Sequence, residues 1–231
     1  VPSLRSIYAT IRRLGIVDGS LWATARVASI ATFGRLFVQR YYFVAQPVPA
    51  KADNTRASAS VSLRSIARDD PLVAQFPRPR EVIAARYDMG AVCLAAERQG
   101  RFVGFVWLKE IEYPEDEVRC HYRLEPANLA AWDFDVYVDP SYRYGRTFAR
   151  LWEFAHTWLR ERGYRWSLSR ISAFNPESIA AHQRLGTRRI GSAIFVRAGN
   201  AQLAILDRAP FVHVGWRHAQ APILRLRAPD R

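Results

Sequence analysis

Lysine is almost missing from this chain. Of its 34 basic residues only Lys51 and Lys109 are lysine and 32 are arginine, a skew that GC-rich coding produces and that assigns no role by itself. Cysteine is scarce too. Cys93 and Cys120 are too few and too far apart in sequence for a disulfide framework or a Cys-based zinc site, so no metal is expected and a reducing compartment fits. No long apolar run occurs either. The longest stretch, residues 21–38, is broken by Arg26 and Arg35, whereas a bilayer-spanning helix needs about 20 mostly uncharged residues. No secretory-signal pattern opens the sequence, and a cytoplasmic protein is the expectation.

What is present is enough for one sizeable core. The 231 residues are 49% hydrophobic and 13% aromatic, which argues against intrinsic disorder. Acidic residues number 21, leaving a net charge of +13. The excess is uneven: residues 1–50 carry +5, residues 51–138 carry −2 and residues 139–231 carry +10. Acid chemistry is therefore expected in the middle. The flanks are expected to attract something anionic, whether a phosphate cofactor, an acidic carrier protein, a lipid headgroup or nucleic acid.

Periodicity divides the chain. Residues 4–14 repeat Leu4, Ile7, Tyr8, Ile11 and Leu14 at helical spacing. Asp18-Gly19-Ser20 then reads as a turn and cap before a second helix from Leu21 to about Phe37, followed by an aromatic strand at Arg40–Val44. A linker rich in Pro, Ser and Ala is expected over residues 47–60. Strands are expected at Val61–Ile66, Val92–Glu97, Phe102–Lys109, Val118–Leu124 and Trp132–Val138, with short helix between Pro71 and Arg86. After Asp139-Pro140 the period changes to helical over Thr147–Arg162, stopped by Gly163. A buried strand at Tyr164–Ile171, a helix opened by Asn175-Pro176, and strands near Arg189–Val196 and Gln202–Leu206 follow. The order is that of an α+β fold, with a helical extension over residues 1–60, a domain over 61–210 and a basic tail over 211–231.

The turn between Tyr137 and Phe148 stands out. There a strand end feeds a helix whose amino end offers free N–H groups beside Arg143 and Arg146, an arrangement suited to an anion. Three stretches resemble the GNAT superfamily of acyl-CoA-dependent N-acyltransferases. Residues 90–105 (GAVCLAAERQGRFVGF) are similar to its central hairpin, 136–151 (VYVDPSYRYGRTFARL) to its pyrophosphate-binding strand, loop and helix, and 175–186 (NPESIAAHQRLG) to the short helix beside the thioester. The resemblance implies a mixed, mostly antiparallel sheet flanked by helices. It implies acyl-CoA as co-substrate, held by Val136, Tyr137, Val138, Arg143, Tyr144, Gly145, Arg146, Thr147 and Phe148, with Asn175 and Ser178 beside it. Two positions depart from the family pattern: Arg146 and Phe148 stand where glycines usually allow close backbone approach, and His182 stands where a tyrosine is common.

Amide formation from a thioester needs a base for the amine, donors for the oxyanion and an acid for the leaving sulfur. The resemblance makes His182 the candidate acid, since imidazolium titrates near neutrality, and makes the N–H near Val138 the oxyanion donor. Strict alternation would put Asp133 and Asp135 on the face of Tyr137, as candidates for the base; pairing with arginines to stabilise the strand is the competing role. Glu115-Asp116-Glu117 reads as a solvated loop, or else as a recognition site for a cationic amine. Asn175 fits a helix cap.

The basic, apolar first 50 residues suit either a helical pair packed on the sheet or an element lying on an anionic membrane surface. With the latter, the acceptor would be lipid-like, as in GNAT-like bacterial ceramide synthases acylating a sphingoid base. Two other readings compete: an acyltransferase charged by an acidic acyl carrier protein, and a non-catalytic nucleic-acid or lipid binder. No recognition helix, zinc spacing or RNA-stacking motif appears, which argues against nucleic acid.

Overall fold

The computed structural model describes residues 10–51, 61–142 and 146–230. In chain order the helices are α1 (Ile16–Ala31), α2 (Arg80–Asp88), α3 (Thr147–Glu161) and α4 (Pro176–Arg184). The strands are β1 (Leu36–Pro47), β2 (Ser62–Ile66), β3 (Val92–Arg98), β4 (Arg101–Glu110), β5 (Glu112–Pro114), β6 (His121–Glu125), β7 (Ala130–Val138), β8 (Trp166–Ser172), β9 (Arg188–Ala198), β10 (Ala201–Leu206), β11 (Val212–Gly215) and β12 (Ile223–Arg227). Strand pairing is mostly antiparallel, as expected of the α+β class. The chain forms two compact units, one of residues 1–46, 114–123 and 169–231, the other of residues 47–113 and 124–168.

In the first unit β9 pairs antiparallel with β1 on one side and β10 on the other, and β10 carries β11. The helix expected at 4–14 lies partly outside the described residues, but residues 10–14 are helical. The break before α1 is Gly15, at φ 81°. Gly19, read as part of a turn, is instead buried inside α1, where an added Cβ would stand 2.6 Å from the Ile11 Cα. It permits close packing rather than a turn. The expected extension of α1 to Phe37 also fails. Phe33 and Gly34 adopt positive φ, and the Thr32 hydroxyl donates to the Ala28 carbonyl while accepting from the Leu36 N–H, ending the helix and starting β1 early. The tail contributes β11 and β12, and the His121 N–H donates to the Pro222 carbonyl at 2.9 Å.

The second unit is a sheet in the order β2, β3, β4, β7, joined antiparallel. β3 and β4 form the expected hairpin, with Gln99 and Gly100 both at positive φ. β7 then pairs in parallel with β8 over Ala130–Trp166, Ala131–Ser167 and Trp132–Leu168. One face of this sheet packs Cys93, Ala95, Phe105 and Trp107 against Leu72, Phe76 and Ile83, the last from α2. The other packs Ala96, Val103 and Val138 against Leu151 of α3. Gly104 sits between strand and helix, where a Cβ would meet the Tyr137 carbonyl oxygen at 2.6 Å and Leu151 at 3.1 Å.

Candidate active site

β7 does not alternate evenly. Phe134 is the register partner of Trp107 and Tyr137 that of Phe105, so Phe134 and Tyr137 share a face although two residues separate them. The extra residue is a bulge, and Asp135 in it takes φ 44°. Asp133, Asp135 and Tyr137 were expected on one face. The bulge corrects this: Asp133 points opposite to Phe134, while Asp135 joins the side of Phe134 and Tyr137.

The two carboxylates consequently have different surroundings. Asp133 is 2% exposed, and its Oδ2 accepts from the Ser167 hydroxyl at 2.6 Å. Asp135 Oδ2 accepts from Arg78 Nε at 2.9 Å and from Arg86 Nη1 at 2.5 Å, and its Oδ1 accepts from Arg78 Nη2. Arg86 is itself buried, its guanidinium 5.4 Å from the Trp107 ring and 5.5 Å from that of Phe134. Arg78 lies 5.5 Å from the Tyr137 ring. These arginines, and Ser167, were not singled out in the sequence. The available signal was Arg86 three residues after buried Ile83 on the apolar side of α2, a place where a charge needs a partner.

Beyond β7, Asp139 to Tyr142 make a tight turn in which the Asp139 carboxylate accepts from the Ser141 N–H at 2.9 Å and the Asp139 carbonyl from the Tyr142 N–H at 2.8 Å. Arg143, Tyr144 and Gly145 lie outside the described residues. Arg146 is exposed and occupies the N-cap of α3 without a side-chain cap bond, and no acidic residue lies in the first turn. Amide groups left in this way carry the positive end of the helix dipole, and with Arg146 beside them they form a donor set of the right chemistry for a diphosphate. Phe148 is half-buried and packs against the cluster of Ala96, Val103, Val138 and Leu151. Val136 and Tyr137 are half-buried and Thr147 is buried.

In the other unit, α4 is opened by Asn175, whose side chain accepts from the Ser178 N–H at 3.0 Å; the capping role expected of Asn175 is what the chain uses. His182 is 9% exposed, and its Nδ1 lies 2.8 Å from the Ser178 carbonyl. That bond places the proton on Nδ1 in the neutral ring and directs Nε2 away from the helix backbone. Ser178 thus orients His182 through its main chain.

The acidic run departs from the solvated loop expected of it. The Glu115 side chain is fully buried and takes Arg170 Nε at 3.0 Å and Nη2 at 2.7 Å. Burial raises its carboxyl above the ordinary range, with Arg170 opposing that shift. Glu117 approaches the same guanidinium at 3.2 Å and accepts from the Tyr41 hydroxyl at 2.5 Å; Asp116 stands 3.7 Å away and mostly exposed. The cation that this run meets is the protein's own Arg170. Among the described residues, no cluster of His, Cys, Asp or Glu has the makings of a metal site.

The bulged strand, the tight turn and the helix start stand on a mixed, mostly antiparallel sheet flanked by helices. The acetyltransferase (GNAT) family profile matches residues 61–187, more than half of the chain, and the chain belongs to that family. Among solved structures, it is similar to a conserved protein of unknown function from Staphylococcus epidermidis, at 11% identity and a TM-score of 0.51 over 74% of this chain and 66% of that one. A protein assigned to the GNAT acetyltransferases from Novosphingobium aromaticivorans matches at 18% identity and a TM-score of 0.46, over 68% of this chain and 62% of that one. A tandem GNAT protein of the clavulanic acid pathway matches at 17% and 0.47, over 70% and 55%. The chain therefore spans just under two thirds of the first two by length. A comparison with curated proteins finds no significant match.

Proposed function

We propose that the chain is an N-acyltransferase that moves an acyl group from a coenzyme A thioester to a primary amine. The observation that carries this reading is the β7–turn–α3 segment, in which a bulged strand leads into a helix start free of both a side-chain cap and acidic residues. Coenzyme A, when bound, supplies an acyl group on a sulfur leaving group. Arg146 and the first N–H groups of α3 bind its diphosphate, and the backbone of Val136 to Val138 aligns its arm. The N–H near Val138 donates to the carbonyl oxygen as negative charge develops there. The amine nitrogen bonds to the acyl carbon, the carbon–sulfur bond breaks, and His182, doubly protonated, gives its Nε2 proton to the departing sulfur. The amine proton passes to water, since both oxygens of Asp135 are occupied by Arg78 and Arg86.

For the acceptor, the reading is a lipid-like amine. It is supported by α1 and the turn after it, which leave Ile16, Val17, Val27, Ile30 and Phe33 exposed. Among the described residues no helix is long and apolar enough to cross a membrane, and the same surface suits contact with an anionic bilayer. Asp116, the mostly exposed member of the acidic run, is the carboxylate assigned to an ammonium group on the acceptor. Release of free thiol from acetyl- and palmitoyl-coenzyme A, with and without a sphingoid base or a polar diamine, tests the reading: amine-dependent thiol release supports it, and its absence with every pair removes it.

A further inference from the structure

Four arginines converge on a cavity of about 560 Å³ in the first unit. Arg35 comes from the turn after α1, Arg119 from the segment before β6, Arg197 from β9 and Arg217 from the turn after β11. Trp216, Asn200, Gly34 and Gly199 complete the wall, and among the described residues no carboxylate lines it. Of the four arginines, only Arg119 lies within the residues that the family profile matches. Among the described residues none of the four forms an ion pair, whereas Arg40, Arg170 and Arg208 of the same unit all do.

The floor is built rather than accidental. Arg119 is 8% exposed; Nη2 donates to the Gly215 carbonyl at 3.2 Å, and among the described residues Nε has no hydrogen-bond partner. Its main chain is clamped by the buried amide of Gln202, which accepts from the Arg119 N–H at 2.8 Å and donates to its carbonyl at 2.7 Å. The rim is tied as well, since the Gly199 N–H donates to the Arg35 carbonyl at 3.3 Å. Arg197 lies 5.1 Å from the Phe37 ring. A buried guanidinium without a counter-ion, ringed by three more, is a costly arrangement unless an anion completes it. Arginine forks match phosphate oxygens. The volume falls within the range of roughly 300–1,000 Å³ typical of small-molecule sites and is larger than a lone phosphate needs. Trp216, 61% exposed, offers a flat face at the wall.

We propose that this cavity binds a phosphorylated small molecule of nucleotide size, its phosphates on Arg35, Arg119, Arg197 and Arg217 and its ring on Trp216. It is an anion site separate in its residues from the helix start assigned to coenzyme A.

The test is isothermal titration of the full chain with ADP, inorganic pyrophosphate, inorganic phosphate and phosphatidylglycerol vesicles. The proposal expects a saturable ADP-binding event that the Arg35→Gln/Arg217→Gln double variant weakens at least tenfold, that Trp216→Ala weakens for ADP more than for pyrophosphate, and that Arg146→Ala leaves unchanged. Arg35, Arg217 and Trp216 are exposed, so these variants remove recognition without opening the core, and circular dichroism verifies their folding. Absence of saturable binding, binding indifferent to the double variant, loss with Arg146→Ala alone, or binding to vesicles only would each overturn it.

Discussion

Arg86 reaches Asp135 at the β7 bulge, Nη1 to Oδ2 at 2.5 Å, with only 6% of its side chain and 15% of the aspartate's exposed. A left-handed aspartate is tolerated there because two arginines hold its carboxylate in place. Removing one partner of such a pair leaves a charge buried and uncompensated. Arg86→Ala should therefore destabilise the protein by about 3 kcal/mol, and Arg78→Ala, whose side chain is more exposed, by about 1 kcal/mol. Chemical denaturation of both variants measures this. The reverse order would mean that Arg78 is the principal anchor of the bulge.

His156, on α3, is buried, and burial pushes its imidazole down to about 4 from an ordinary 6.5, with Arg160 adding to the shift. Between those two values the unfolded chain binds more protons than the folded one. Stability from this group is thus fully present above pH 6.5 and is lost as pH falls toward 4. The loss should be on the order of 3 kcal/mol at most. Melting temperatures at pH 7 and pH 4.5 test it: His156→Gln should narrow the gap between them, and an unchanged gap would assign the acid sensitivity elsewhere.

The assigned roles separate two further variants. His182→Ala should lower kcat on the order of a hundredfold while leaving KM for the thioester within a few fold, as expected for loss of a general acid. Arg146→Ala should raise KM for the thioester about tenfold with kcat largely kept, as expected for loss of one charged phosphate contact. Steady-state kinetics with varied donor distinguishes these patterns. Equal, small losses from both would contradict the roles.

Much of the fold was legible because its signals are local. The Gln99-Gly100 turn, the switch to helical period after Pro140 and the Asn175-Pro176 helix start each declare themselves within a few residues, and the structure places a hairpin, α3 and α4 there. The illegible parts depend on partners distant in sequence. Nothing near Asp135 announces a bulge, because the arginines that hold it lie 57 and 49 residues earlier. The Glu115 carboxylate looked solvated among neighbouring charges because its partner, Arg170, lies 55 residues later. Gly19 read as a turn because its contact, Ile11, belongs to a different helical segment. At the N-terminus of α3 the sequence supplied the chemistry, an arginine beside a helix start, but not the packing of Phe148 against the Leu151 cluster.

Mass spectrometry of products formed from a mixed pool of short- and long-chain acyl-coenzyme A donors and mixed amines tests acyl transfer most directly. The account predicts new amides, each heavier than its amine by one acyl group less a hydrogen, formed in proportion to thiol released and about a hundredfold scarcer with His182→Ala at equal times. Thioesters left intact beside every amine, by a protein shown to be folded, would contradict it.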